Sequence, residues 1–311
     1  MSYPQTRPKC IWAVVVTFNR KELLRSCVES LLAQSRKPDR ILIVDNASTD
    51  GTLDMLITSG LLEHEVEHLP LSENGGGAGG FSAGLQHSIR KGAHWIWMMD
   101  DDASPYPTAL EELMEIAVDT TNVYGSLAVN GEDTSWTTTL LGENPRIVDK
   151  LTNVPEQSRV QSLPFLGFLI HRDLVNKIGL PDAGYFIAAD DIEYCMRAER
   201  AGAEIIIAGK SRIEHPKSER YIARVPGRKL ICLKLPPWKR YYDTRNRLLI
   251  ARKYYGIKLV TQTIPGSFMR LWAALVHEPR KLSQLWAFTA GFVDGLLGLK
   301  GKRHNKWGIG Q

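Results

Sequence analysis

Three consecutive carboxylates, Asp100-Asp101-Asp102, follow directly on the apolar run Trp95-Ile96-Trp97-Met98-Met99. Adjacent like charges repel, and the simplest compensation is a divalent cation with hard oxygen ligands. In an extended segment alternate side chains point the same way, so Asp100 and Asp102 could share one ion while Asp101 faces elsewhere. A solvated acidic turn, with Asp102 or Ser104 capping a helix, accounts for the same residues without chemistry. A second acidic group, Asp190-Asp191 with Glu193, stands at the start of a helical stretch, where the macrodipole favours anions. Capping explains one of these carboxylates. Another is then available as a general base toward an attacking hydroxyl. His215, in His215-Pro216-Lys217-Ser218, is a candidate third metal ligand, although a lone histidine is more often structural. Asn74 precedes a stretch with five glycines in six residues, Gly75 to Gly80, which permits close backbone approach to a ligand. The competing reading of that stretch is a flexible loop.

The elements that must position these groups are legible as alternating patterns. Cys10 to Thr17, Ile41 to Val44, Val66 to Leu69 and the Trp95 run read as buried strands. Helical spacing separates them: one stretch through Leu23, Leu24, Cys27, Leu31 and Leu32 with Asn19 as N-cap, a short one after Gly51, and one from about Phe81 to Lys91. This alternation predicts a parallel sheet with crossover helices, and places the acids outside the carboxyl end of a strand. Further on, Thr108 to Val118 reads as helix and Val123 to Val129 as strand. Asn130 to Ser162 reads as irregular strands and loops, and Leu163 to Ile170 as a core strand. Helices follow from Arg172 to Gly179 and Asp190 to Gly202, then a strand at Glu204 to Ala208.

Composition narrows the function classes. With 43% hydrophobic and 23% charged residues in 311, the chain has ample material for a core. Cys10, Cys27, Cys195 and Cys232 lack CxxC or Cys/His zinc spacing and read as ordinary thiols of a reducing compartment. Met1 to Lys9 has no apolar segment of the secretory kind, and no uncharged run is long enough to span a bilayer. The glycine stretch lacks GxGxxG after the first strand and the Gly-Lys-Ser/Thr ending of a P-loop, which disfavours hydride and Walker-type phosphoryl transfer.

Taken in order, Thr17-Phe18-Asn19-Arg20, Asp45-Asn46-Ala47-Ser48-Thr49-Asp50-Gly51, the Asn74 glycine stretch, Asp100-Asp101-Asp102 and Asp190-Asp191-Ile192-Glu193 carry a resemblance. Over roughly residues 10 to 220 the chain resembles family-2 inverting glycosyltransferases of the GT-A fold. The glycine stretch ending in Phe81, the triple aspartate and the His-Pro-Lys-Ser run resemble bacterial galactofuranosyltransferases. Tyr241-Tyr242-Asp243-Thr244-Arg245-Asn246 also occurs in related rhamnosyl- and galactofuranosyltransferases of O-antigen and cell-wall assembly.

The resemblance implies an α/β fold, Rossmann-like, with a mixed, mainly parallel sheet flanked by helices. It implies a catalytic domain over residues 1–220 and a helical C-terminal region over 221–311. Thr17, Asn19, Arg20 and Asp45 would line the uracil and ribose pocket. Asn74, Gly76 and Gly77 would border the donor sugar and pyrophosphate, with Asp101 beside the ribose or sugar. Asp100, Asp102 and His215 would bind Mn²⁺ or Mg²⁺. Asp191 would be the catalytic base, and Asp190, Glu193 and Lys217 would shape the acceptor site. The implied activity is that of a hexosyltransferase using UDP-galactofuranose, or alternatively dTDP-rhamnose, on a lipid-linked oligosaccharide or polysaccharide acceptor. Such a scheme requires the acids near 100, the pair near 190 and His215 to share one cleft. A nucleotidyltransferase is the rival within enzymes, but it needs a basic glycine-rich signature where Thr17-Phe18-Asn19-Arg20 stands. A non-catalytic carbohydrate- or nucleic-acid-binding protein leaves both acidic groups without a role, and no nucleic-acid partner is expected.

From Trp238 onward, basic and aromatic residues mix with long apolar stretches such as Phe268 to Val276 and Leu285 to Leu299. Such an end can lie in a membrane interface without spanning it, or pack as a bundle or homo-oligomer contact. The first option places the protein in the cytoplasm, peripheral to the inner face of the cell membrane.

Overall fold

The structure, a computed structural model, describes residues 10–63, 65–142, 144–225 and 228–310. Met1 to Lys9, where no secretory segment is expected, lie outside the described residues. The chain divides into two compact units, residues 1–181 with 194–217, and residues 182–193 with 218–311.

The first unit is built on β1 (Ile11–Thr17), α1 (Lys21–Leu32), β2 (Arg40–Asp45), α2 (Thr52–Thr58), β3 (Val66–Pro70), α3 (Gly76–Arg90) and β4 (Trp95–Asp100). After them come β5 (Ser104–Pro105), α4 (Ala109–Ile116), β6 (Val123–Asn130), β7 (Asp133–Leu141), β8 (Arg146–Lys150), β9 (Gln157–Val160), β10 (Phe168–His171) and α5 (Arg172–Ile178). The last two elements are α6 (Asp190–Arg200), which begins in the second unit, and β11 (Ile205–Glu214). The sheet is mixed and runs β3-β2-β1-β4-β10-β6-β11-β9-β7-β8, with β5 paired to β11. Its parallel core is β3-β2-β1-β4.

Alternation along β1 shows why this strand reads as an unbroken apolar run. Ile11, Ala13 and Val15 pack with α1 and α4 residues such as Leu24, Leu31 and Leu113. Trp12, Val14 and Val16 pack on the other face with Phe81, Leu85 and Tyr194. A strand buried on both faces has no polar side to display.

The glycine stretch is helix, not loop. The expected start near Phe81 moves back to Gly76, because Asn74 Oδ1 accepts the Gly76 N–H at 2.8 Å and starts the turn. The glycines also let this helix lie flush on the sheet. A Cβ on Gly80 would meet Val16 Cγ1 at 2.5 Å, and one on Gly84 would meet Val14 Cγ1 at 2.5 Å. Two other sequence expectations are corrected. Asn19 does not cap α1: Arg20 holds that position, while Asn19 sits at φ 52° and bonds elsewhere. Neither Asp102 nor Ser104 caps a helix, since Ser104 enters β5 and Thr108 precedes α4. Residues 130–162 contribute β7, β8 and β9 to the sheet, and the core strand expected from Leu163 is confined to Phe168–His171. Gly167, at φ 75°, breaks that run.

The second unit contains a hairpin, β12 (Arg220–Val225) with β13 (Arg228–Leu233), so the region after 220 is not helical throughout. Then come α7 (Pro237–Tyr254), α8 (Ile264–His277) and α9 (Lys281–Leu297). Buried ion pairs and hydrogen bonds tie the helices together. Arg240 meets Glu278 at 2.5 Å, and Asp294 accepts from Tyr241, Arg303 and Trp307. The Tyr241 hydroxyl, buried against that carboxylate, is raised well beyond its ordinary range.

Candidate active site

In the first unit the polar groups collect where the chain order of the parallel strands reverses, at the carboxyl ends of β1 and β4. Thr17 Oγ1 donates to Asp101 Oδ2 at 2.8 Å. Arg20 Nη1 reaches Asp101 Oδ1 at 3.2 Å and Asp102 Oδ2 at 3.1 Å. Asp102 Oδ1 in turn lies 3.4 Å from His215 Nε2. The arrangement follows from topology. Register pairs Val16 with Asp100, and the pairing of Ser104 with Glu214 brings His215 up beside the aspartates. His215 is held by its backbone N–H on Val129 O, by Ser135 Oγ on its carbonyl and by the Trp136 ring at 5.0 Å.

The two inner aspartates differ electrostatically. Burial raises Asp101 above the usual carboxylate range, against the opposing pull of the Thr17 hydroxyl and Arg20. Asp102 is also desolvated, yet His215 and Arg20 hold it below that range. Its contact with His215 is close without being aligned as a hydrogen bond. Asp102 Oδ1, and separately the other ring nitrogen His215 Nδ1, are buried polar atoms with no hydrogen-bond partner. Buried groups of this kind are normally satisfied. Asp100, half-buried, ends β4, and its carbonyl faces Cys27 Sγ at 3.9 Å. Among the described residues no group of three His, Cys, Asp or Glu side chains is gathered to hold a metal unaided.

Two neighbouring turns extend the site. Asn19 Oδ1 accepts the Thr49 N–H at 2.7 Å, and the Asn19 N–H donates to Ser48. Asp45 accepts the Ser48 N–H at 2.8 Å and faces His68 at 3.2 Å. Although partly desolvated, it stays below the ordinary range through those partners. Asn46 was not singled out by the sequence reading, yet it links the turns. Its N–H donates to Thr17 O, its Nδ2 reaches Gly76 O at 3.3 Å, and its buried Oδ1 has no partner. The signal for it was an asparagine directly after the last residue of a core strand. Gly77 sits in the first turn of α3 with Gly76. Lys217 donates to Asp133 at 2.6 Å, and Lys150 with Lys217 hold that aspartate down at about 2.

In the second unit, Asp190 and Asp191 open α6, Asp190 buried and Asp191 half-buried. Desolvation raises both carboxyls, and the neighbouring Asp191 charge raises Asp190 further. The pair therefore holds a proton above the usual carboxylate range. Glu193 Oε1 accepts from Lys253 Nζ at 2.8 Å and Tyr254 OH at 2.5 Å. The turn before the pair has Phe186, Ala188 and Ala189 at positive φ. It is held by the Tyr-Tyr-Asp-Thr-Arg-Asn run of α7. Arg245 donates to the carbonyls of Gly184 and Tyr185, and Asn246 Nδ2 approaches those of Tyr185, Ile187 and Ala188. That run thus shapes the segment carrying the acid pair, a role its sequence alone does not reveal.

A parallel α/β core with acids, a threonine and an arginine at its strand-order reversal, and a helix N-terminus beside them, defines a GT-A glycosyltransferase fold. Solved structures agree. The chain aligns with GalNAc-T7 bound to UDP, GalNAc and Mn²⁺ at TM-score 0.57 and 17% identity, covering 71% of this chain and under half (45%) of that one. It aligns with the Pyrobaculum calidifontis mannosyltransferase PcManGT, in complex with GDP-Man and Mn²⁺, at TM-score 0.56 and 16% identity, covering 94% and 88%. Residues 12–179 match the family described as Glycosyl transferase family 2, and the chain belongs to that family; it is a glycosyltransferase. It is 29% identical to galactofuranosyltransferase GlfT1 of Mycolicibacterium smegmatis, over 78% of this chain and 83% of that protein. It is 22% identical to the dTDP-rhamnosyl transferase RfbF of Shigella flexneri, over 94% and 97%.

Proposed function

We propose that this glycosyltransferase uses a divalent cation and a nucleotide-sugar donor, with UDP-galactofuranose favoured, to add one sugar with inversion to a hydroxyl of a growing bacterial glycan. The acceptor in this reading is a lipid-linked oligosaccharide or polysaccharide. The observation that carries it is the juxtaposition of Asp102 and His215, 3.4 Å apart, whose buried Oδ1 and Nδ1 atoms make no hydrogen bond, beside the Arg20-bridged aspartates. A carboxylate and an imidazole suit Mn²⁺ or Mg²⁺, and Asp102 and His215 would hold the ion together with oxygens of the substrate; Asp100, expected as a third ligand, is not gathered with them. When bound, the cation offsets the charge that develops on the departing diphosphate.

The chain's own groups supply the rest. Thr17, Arg20 and Asp101 border the nucleotide, and Asn19, Asp45 and Asn46 offer polar atoms to the base and ribose. The α3 N-terminus, with Asn74, Gly76 and Gly77, faces the pyrophosphate, where a helix dipole favours anions. Asp191 takes the proton from the acceptor hydroxyl, which then attacks the anomeric carbon from the face opposite the diphosphate. Asp190, Glu193 and Lys217 position the acceptor. The similarity to GlfT1 and to RfbF supports the choice between UDP-galactofuranose and dTDP-rhamnose as donors. Incubating the protein with Mn²⁺, acceptor glycans and a panel of UDP- and dTDP-sugars, and reading nucleotide release, tests this directly. Release is expected with UDP-galactofuranose and is expected to stop on chelation. Metal-independent turnover, or consumption of no donor, overturns the reading.

A further inference from the structure

The two ends of the chain carry opposite charge. Residues 218–311 hold 19 Lys and Arg against 4 Asp and Glu, whereas residues 1–217 hold 20 against 30. Even with the four acids of 182–193 included, the second unit holds 19 against 8. The four carboxylates after 218 are each ion-paired: Glu219 with Lys234, Asp243 with Arg247, Glu278 with Arg240 and Asp294 with Arg303. The excess positive charge is therefore left at the surface, on exposed groups such as Lys258, Arg280, Lys281 and Lys306, which form no ion pair among the described residues.

Within this basic unit the outward side of α8 and α9 is apolar. On α8, Phe268, Trp272 and Val276 follow at four-residue spacing, exposed by 50%, 60% and 51%. On α9, Leu282, Trp286, Val293 and Leu297 form a second exposed stripe, with Leu282 at 84%. The hydroxyl of Thr289 on that stripe bonds to Leu285 O. Phe268 packs on the flank of α9, its ring lying 5.4 Å from Phe288 and 5.3 Å from Phe292, and Leu285 and Leu296 are also exposed on α9. At one end the face borders a cavity of about 460 Å³ lined in part by Trp238, Arg280 and Trp286. Large apolar side chains exposed along two neighbouring helices mark an interaction site.

We propose that this face docks on an anionic lipid bilayer, with α8 and α9 lying in the plane of the interface. Charge selects this occupant. Two copies of so basic a surface repel each other, whereas anionic headgroups attract it. Trp272 and Trp286 then sit at headgroup depth, the leucines reach the acyl boundary, and the surrounding Lys and Arg meet phosphates. No described helix is long and apolar enough to cross a membrane, so the docking is in-plane. This inference stands apart from the catalytic reading and needs no donor or metal to be tested.

Co-sedimentation of the full chain with phosphatidylglycerol/phosphatidylcholine vesicles, and with phosphatidylcholine vesicles alone, tests it. Binding is expected to the anionic vesicles, with a blue shift of tryptophan emission, and to weaken in high salt. Trp272→Ser and Leu282→Ser, both at exposed positions, are expected to lower partitioning by roughly tenfold each without changing the circular dichroism spectrum. Anionic binding indifferent to both substitutions overturns the assigned face. A protein that ignores vesicles overturns the proposal, and so does sedimentation as a dimer that the same substitutions dissociate while vesicle binding is absent.

Discussion

Asp190 and Asp191 form a desolvated acid pair, and its titration has consequences that can be signed. Burial raises both carboxyls, and the Asp191 charge adds to the shift on Asp190. A base must be deprotonated to act, so turnover is expected to rise along an acid limb lying above the ordinary carboxylate range. Asp190 holds its proton to higher pH than Asp191, so Asp191 ionises beside a neutral neighbour. Asp190→Asn, which stays neutral, is expected to leave that limb above the ordinary carboxylate range in a kcat/KM profile; a limb at the ordinary carboxylate range in the unsubstituted protein contradicts the assignment. For stability the sign is opposite. The folded state keeps protons that the unfolded chain has lost, so these acids destabilise the fold progressively as pH rises from the ordinary carboxylate range through the raised one. Asp190→Asn is expected to flatten that loss in urea titrations. Thr17→Val is nearly isosteric and removes the hydroxyl that Asp101 accepts from, so it is expected to cost about 1–3 kcal/mol of unfolding free energy. At this scale the sequence was informative where a polar residue stands at the end of a core strand, as Thr17, Asp45 and Asp100 do. It was uninformative about Asn46, Trp136 and His68, whose roles come from partners that only the sheet order brings close.

The strand–helix alternation of the first hundred residues was legible because β1 to β4 are buried on both faces and have no alternative period. The glycine stretch was not, since glycine composition reads as flexibility until the packing partner is known. That partner is β1, and the consequence is measurable. In an ordinary helix Gly→Ala stabilises by about 0.5–1 kcal/mol. At Gly84 the added methyl would meet Val14 Cγ1 at 2.5 Å, an overpacking that costs about 1–3 kcal/mol. The steric term wins, so Gly84→Ala is expected to lower the Tm, and a raised Tm would show that α3 can lift from the sheet at little cost. The clamp on the 184–188 turn is the second element-scale case. Asn246→Ala withdraws the two amide N–H donors shared among the carbonyls of Tyr185, Ile187 and Ala188, of which Tyr185 keeps its bond from Arg245, and is expected to cost about 2–4 kcal/mol. Because that turn precedes Asp190 and Asp191, the same substitution is expected to reduce kcat more than it raises KM.

The whole molecule pairs an acidic α/β unit with a basic helical one, and residues 182–193 group with the second. This division was invisible in the sequence, because Asp190 lies in the middle of a stretch that otherwise completes the first sheet. Residues 130–162 were equally opaque, since strands at the far edge of a mixed sheet need not alternate strictly. A chain ending at Lys217 lacks Arg245, Asn246, Lys253 and Tyr254, the groups that hold the 184–193 segment. It is expected to lose transfer and to be cut by chymotrypsin at Tyr185 and Phe186 far faster than the full chain. The most direct measurement is a paired one on Asp191→Asn: donor-nucleotide binding by calorimetry with Mn²⁺ present, and glycosyl transfer with the same donor. The expected result is unchanged nucleotide affinity with transfer slowed by about 10²–10⁴. Transfer at the wild-type rate would contradict the assignment of Asp191 as the base.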